Sequence, residues 1–220
     1  SPSTKYGYYS DGVALFWKPQ VMSLISLEGD DGPLQLCRDS PAVHIVVALR
    51  HNFTGEPVLF ACTHLKAKGG DEFEAIRAGE VSAVLDGVEE LAERLGMSVA
   101  DGVKSGTRRC RSIIMGDFNA EACTSSSGSA AVAIPIALNW CDGYLSSAYT
   151  LPTSHADDLY TTWKTRGGTD FKRMIDYILY SASSGLEVAA VLKPPSPEEI
   201  ATSACKLPDI RYPSDHISIA

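Results

Sequence analysis

Apolar positions fall along this chain in two rhythms, and the change from one to the other marks its elements. Residues 12–17 (GVALFW) and 43–49 (VHIVVAL) are short runs rich in β-branched and aromatic residues, and they predict strands. Asn52, Thr54 and Gly55 then separate the second run from a third at 57–63, the pattern of a hairpin. After KAKGG the period lengthens. Phe73, Ile76, Val84, Leu85, Val88, Leu91, Ala92 and Leu95 recur at three- and four-residue steps and predict an amphipathic helix. Asp71 fits its N-cap, Glu74 completes a capping-box-like start, and Gly96 fits its end.

A polar loop at 97–111 leads into SIIMGDFN, a short buried strand with a polar end, and CTSSSGSA reads as a flexible loop. A helix is expected over about 128–140, and strands over YTTWKT, RMIDYILYS and LEVAAVL. Five prolines between 193 and 213 predict an extended surface loop, and a last strand is expected from His216. No internal repeats are present. Many strands with two helices between them predict an α/β protein with mainly antiparallel pairing.

Composition narrows this picture. At 220 residues, 45% hydrophobic and 21% charged, the chain has the makings of one sizeable soluble domain. No apolar run reaches the length of a membrane span, and the start lacks the pattern of a signal peptide. Six cysteines (37, 62, 110, 123, 141, 205) lie far apart without CxxC spacing, which points to reduced thiols in a cytosolic-type compartment. A net charge of −8 argues against broad coating of nucleic acid. An acidic site that recruits a divalent cation can still handle a phosphate substrate.

Chemistry-bearing residues gather at strand ends. Thr63-His64 follows the third strand, Asp117 and Asn119 follow IIMG, Asp176 interrupts MIDYIL, and Asp215-His216 interrupts the tail. Taken singly, GDFNA is a tight turn and His64 a core histidine. Asp176 is harder to explain that way. Flanked by Ile175, Tyr177 and Ile178, it would bury an unpaired charge unless it had a partner, and His216 is available.

In series, DGVALFW (11–17), THLKAK (63–68), IIMGDFNAE (113–121), YTTWKTR (160–166), MIDYILYS (174–181) and YPSDHISI (212–219) resemble the endonuclease/exonuclease/phosphatase superfamily. They are closest to its nocturnin and carbon-catabolite-repressor deadenylase branch. The resemblance implies a layered sandwich of two mainly antiparallel sheets flanked by helices. It also implies an Mg²⁺-dependent phosphoesterase, with Mn²⁺ as a substitute, acting in the cytoplasm or mitochondria on an RNA 3′ end or an adenine dinucleotide. Asp117 resembles the aspartate that orients or deprotonates the attacking water, and Asn119 the asparagine that positions water and phosphate. His216 matches the histidine held against the scissile phosphate, Asp176 its carboxylate partner, and His64 a further phosphate-side histidine. Asp215 is similar to the metal-associated aspartate. Lys66, Lys68, Lys164 and Arg166 resemble the branch's basic phosphate contacts, whereas Lys172 and Arg173 fall where the branch varies.

The family's first strands, and the glutamate that is its principal metal ligand, have no counterpart here. Glu28, Glu56 and Glu121 are out of motif order. The expectation is therefore a single incomplete domain, the C-terminal two-thirds of the family fold, with weak metal binding and little activity alone. Poly(A) tails and the 2′-phosphate of NADP(H) are both compatible substrates. A catalytically inactive binding module and a secreted nuclease are the rival readings.

Overall fold

The computed structural model describes residues 12–27, 43–99, 108–124, 128, 130–154, 159–204 and 206–220, together with the backbone of three two-residue strands before residue 43. Those three are β1 (Ser3–Thr4), β2 (Gly7–Tyr8) and, after β3 (Met22–Leu24), β4 (Gln35–Leu36). Then come β5 (Val43–His51), β6 (Pro57–His64), the helix α1 (Asp71–Arg94), β7 (Met97–Ser98), β8 (Arg108–Arg109) and β9 (Ser112–Asp117). The chain continues through α2 (Ala133–Asn139), β10 (Ser146–Ser147), β11 (Thr162–Arg166), β12 (Thr169–Arg173), β13 (Asp176–Tyr180) and α3 (Pro197–Ala201).

Seven strands form the main sheet, in the order β10-β13-β9-β6-β5-β3, with β4 also paired to β5. Hydrophobic Val46, Ala48, Leu59, Ala61 and Ile114 on this sheet pack against Val81, Val84, Leu85, Val88, Leu91 and Ala92 of α1. The β5–β6 hairpin forms where the turn residues predicted it, with Arg50 opposite Pro57. Its neighbour β9 runs parallel to β6 and is reached through α1, as a parallel pair requires a crossover. All other pairings in this sheet are antiparallel. The β11–β12 hairpin, turned at Gly167-Gly168 and bridged to His216 and Lys206, is a separate two-stranded sheet, as are the β1–β2 and β7–β8 pairs.

Three strand expectations fail for one reason: apolar content does not make a strand without a neighbour to bond. Residues 12–17 run without strand pairing, with Phe16 90% exposed, and 186–192 are likewise unpaired, with Val188, Val191 and Leu192 at the surface. From His216 onward there is one bridge to Thr162 rather than a strand. The proline-rich stretch contains a helix that the loop expectation missed. Ser196 caps α3 by accepting a bond from the Glu199 amide, and Pro197 takes the first turn, where its missing N–H costs nothing.

The start of α1 also departs from the sequence pattern. Gly70, not Asp71, is its N-cap, and no side chain caps it. Phe73 and Ile76 stay partly exposed while Glu74, Arg77 and Glu80 are buried. The buried stripe runs straight on from Val84 and Val81, but its first two turns are filled by charge. Cys37, Cys205 and Glu28 lie outside the described residues, as do the middle of the 97–111 loop and part of CTSSSGSA. The four cysteines among the described residues, 62, 110, 123 and 141, form no disulfide. No helix among the described residues is long and apolar enough to cross a membrane.

Gly116 is the tightest point of the sheet. Its φ of 141° is one that side chains rarely adopt, and a Cβ there would stand 1.9 Å from the Thr63 carbonyl oxygen. Gly116→Ala is expected to destabilise the protein by more than about 3 kcal/mol in equilibrium urea unfolding, far beyond a surface Gly→Ala control. A second expectation concerns Tyr144, whose hydroxyl donates to the Cys110 carbonyl (2.5 Å) and lies 3.1 Å from Ser112 Oγ. Burial pushes its phenol from 10.0 to about 12. The folded state thus keeps a proton that the unfolded chain gives up. Stability from this group is full below pH 10 and is lost as pH rises towards 12. Tyr144→Phe should flatten that alkaline slope in denaturation curves taken between these limits.

Candidate active site

Sheet register brings the strand-end residues into a row. In the parallel pair His64 stands opposite Asp117, and in the antiparallel pair Asp117 stands opposite Asp176. His216 joins from the tail, its Nδ1 2.9 Å from Asp176 Oδ2 and 3.1 Å from Oδ1. His216 Nε2 lies 3.8 Å from Asp117 Oδ2, and His64 Nε2 lies 3.6 Å from the same oxygen. The His64 side chain is 49% exposed, so it is no core histidine.

Asn119 sits at φ 48°, a left-handed conformation that asparagine tolerates better than most residues. There its amide N–H donates to Asp117 Oδ1 at 2.8 Å. Its side-chain Nδ2 donates to the Leu65 carbonyl at 3.0 Å and to Asp117 Oδ2 at 3.2 Å. GDFN is therefore a strand end rather than a free turn: β9 runs through Asp117, and Asn119 closes back on it, fixing Asp117 against the THLKAK segment.

Two adjacent threonines that the sequence reading passed over hold the far wall. Thr161 Oγ1 accepts from the amides of Ile175 and Asp176, and Thr162 Oγ1 donates to the Asp215 carbonyl at 2.7 Å. The Ile217 amide completes the attachment by donating to the Thr161 carbonyl. Both threonines are nearly fully buried, and buried hydroxyls in a YTTW strand were the signal available.

Electrostatics follow from this packing. Burial, reinforced by the neighbouring Asp176 charge, raises the Asp117 carboxyl above its ordinary value, against the Asn119 amide bond and the two histidines. The hydrogen bond to Asp176 raises the His216 imidazole above 6.5, against desolvation. Asp215 is lowered, chiefly by its bond to the Lys164 ammonium.

One oxygen each from Asp117 and Asp176 and one ring nitrogen of His216 lie within 4.8 Å of one another. The two carboxylates at this spacing fit a divalent cation, and the imidazole, bonded to Asp176, stands beside that position. Asp215 falls outside that group: its Oδ2 is 2.6 Å from Lys164 Nζ and 3.7 Å from Arg166 Nη2. Glu121 approaches Arg173 Nε at 3.9 Å, and Glu56 pairs with Arg108 and Arg111 away from the cluster.

Beside Asn119 opens a cleft of about 270 Å³ lined by Lys68, Lys164, Arg166, Arg173, Phe171 and Thr162, among others. Lys66 is exposed but is not among the residues lining it. Arg173 and Phe171 come from β12, a hairpin strand that the sequence reading did not foresee. A second groove of about 580 Å³ shares Lys164 and Arg166 and runs past Leu207, Pro208, Pro213 and Asp215.

The chain is similar to known proteins over this whole arrangement. The sequence model of the Endonuclease/Exonuclease/phosphatase family matches residues 2–216. Nocturnin of Xenopus laevis is 34% identical over 211 residues, which are 95% of this chain and 47% of that protein. The Ccr4 3′-5′-exoribonuclease subunit of the CCR4-Not complex of Yarrowia lipolytica is 26% identical, across 95% of this chain and 34% of its own length. The chain thus spans less than half the length of either relative. Among solved structures, ANGEL2, a 2′,3′-cyclic phosphatase in complex with adenosine-2′,3′-vanadate, superposes with a TM-score of 0.61 at 20% identity. That superposition covers 92% of this chain and 67% of ANGEL2, and it shows the same fold.

With no divalent metal added, His216 is expected to titrate above 6.5 by NMR, and Asp176→Asn should bring it back towards that value. The sign follows from the raised folded-state pKa. Stabilisation from the pair is full below pH 6.5 and fades as pH rises through the folded value.

Proposed function

The chain belongs to the Endonuclease/Exonuclease/phosphatase family, and we propose that the whole protein is a divalent-metal-dependent phosphoesterase of nucleotides, acting as a 3′-5′ exoribonuclease on poly(A)-type ends. The observation that carries this reading is the Asp117–Asp176–His216 cluster beside a cleft walled by Lys68, Lys164, Arg166 and Arg173. Phosphoryl transfer needs a positioned water and charge stabilisation, with little covalent help. Asp117, its carboxyl raised by burial, takes a proton from the attacking water as the water oxygen bonds phosphorus and the bond to the leaving 3′-oxygen breaks. The leaving oxygen is protonated from solvent. His216, kept protonated by Asp176, donates to a non-bridging phosphate oxygen, with His64 as a further histidine on the phosphate side, and Asn119 positions the water beside Asp117.

Mg²⁺, held by the Asp117 and Asp176 carboxylates, would supply further charge neutralisation when bound. In this arrangement Asp215 orders Lys164 and Arg166 on the cleft wall. Phe171, 37% exposed at the cleft, offers a face on which a nucleobase can stack. The second groove across β11 supports a substrate longer than one nucleotide, which favours RNA. The four cysteines that form no disulfide support a reducing compartment, the cytoplasm.

Hydrolysis of the 2′-phosphate of NADP(H) is the second reading. The convergence of four cations favours it, since a terminal phosphate carries more charge than a diester. The two are separated by incubating the purified whole protein with Mg²⁺ and either oligo(A) or NADPH. A shortening oligo(A) ladder, reduced about 10²–10⁴-fold in Asp117→Asn, is expected. Phosphate release from NADPH alone would transfer the case to the second reading. Oligo(A) binding without turnover of either substrate would leave only a binding module of this fold.

A further inference from the structure

We propose that Arg77, locked by Glu74, is a positioning residue that fixes the Lys68 wall of the cleft through the backbone of the THLKAK segment. The inference rests on the phosphoester reading of that cleft. Arg77 and Glu74 are 4% and 5% exposed, on a helix whose other inward positions from Val81 onward are apolar. Arg77 Nε and Nη2 donate to Glu74 Oε2 at 2.8 and 2.5 Å. Its remaining nitrogen, Nη1, donates to the carbonyls of both Lys66 (3.0 Å) and Lys68 (2.7 Å).

Glu74 extends the lock to the other side. Its Oε1 accepts from the amides of Val132 and Ala133 at the start of α2. One turn further along α1, Glu80 Oε2 accepts from the Lys66 amide at 2.6 Å. The helix therefore grips Lys66 by both its N–H and its C=O.

Such an arrangement is a poor way merely to glue a helix to a core. A buried ion pair pays heavily in desolvation, and an apolar pair of similar volume often packs as stably. An apolar pair could not hold two carbonyls, however. What those carbonyls need is visible at Lys68, whose φ of 97° is one that residues with a side chain rarely adopt. Gly69 and Gly70 follow it, the latter at φ 108° as the N-cap of α1, and Lys68 Nζ lies over the Phe73 ring at 5.2 Å. The two ends of this bend are thus held to α1, while its middle depends on the bonds from Arg77. The bond from Arg77 fixes this conformation, and with it the direction in which Lys68 enters the cleft beside Asn119. A planar guanidinium fork holds Glu74 with Nε and Nη2 and both carbonyls with Nη1, whereas a lysine ammonium gathers its donors on one atom and lacks this spread.

The test uses Arg77→Lys in the whole protein, which keeps a cation beside Glu74 but loses the fork. Amide hydrogen exchange should quicken at residues 65–69 while strand β6 stays protected. KM for oligo(A) should rise about tenfold with kcat changed less than about twofold. Adding Lys68→Ala to Arg77→Lys should cost little more than Lys68→Ala alone, because both act on one contact. The pair Glu74→Gln/Arg77→Met leaves no buried charge unpartnered and should show the same KM loss in a protein that still melts cooperatively. Unchanged exchange at 65–69, or fully additive losses with Lys68→Ala, would overturn the proposal. If the wild-type protein turns over neither oligo(A) nor NADPH, the phosphoester reading falls, and loop exchange alone decides the role of Arg77.

Discussion

Two backbones can run side by side at Thr63 and Gly116 only because no side chain stands at residue 116. Everything at the site hangs on that contact. With β6 and β9 in parallel register, His64 is carried to Asp117, and the antiparallel partner β13 then sets Asp176 on the other side. Three side chains from distant parts of the sequence thus occupy one row of one sheet, where strand rigidity keeps them in place. The turn after β9 exploits the same row. Asn119 ties Asp117 to the Leu65 carbonyl, so both strands end on a shared hydrogen-bonded knot.

Charge is organised around that row in opposite senses. The sequence as a whole is acidic, yet Lys68, Lys164, Arg166 and Arg173 face one cleft. Asp215 sits between Lys164 and Arg166 and keeps two like charges close together. The carboxylates nearer the row do the reverse: desolvation works against the charge of Asp117, while Asp176 preserves that of His216. A phosphate would meet cations at the wall and a protonated imidazole at the centre, although the protein's far field repels it.

Much of this could be read from residue order, and the parts that could not share a cause. Strands β5, β6 and β9 were legible because β-branched runs bounded by turn residues are local features. Asp176 was legible as a paired charge because its flanks are apolar. GVALFW and LEVAAVL have the same local character, but a strand also needs a neighbour, and neighbours are not written locally. Glu74 and Arg77 were hidden by the assumption that a buried helix stripe is apolar. Projecting the stripe back from Val84 would have found them. In α3, the Ser-Pro-Glu-Glu start was a clear helix signal, masked by the surrounding prolines. Phe171 and Arg173 carried no local sign at all, since their importance comes from a hairpin that folds them over Asn119.

His216 reaches its place without a strand of its own. It is held by one bridge to Thr162 and by the bonds its neighbours Asp215 and Ile217 make to Thr162 Oγ1 and the Thr161 carbonyl, while its partners lie as far back as Asp117. Contacts so distant in sequence form late, after the hairpin and the helix have closed their short loops. Loosening of residues 212–217 alone would therefore withdraw the imidazole from the row while the seven-stranded sheet stays paired, a local opening that costs less than unfolding the core.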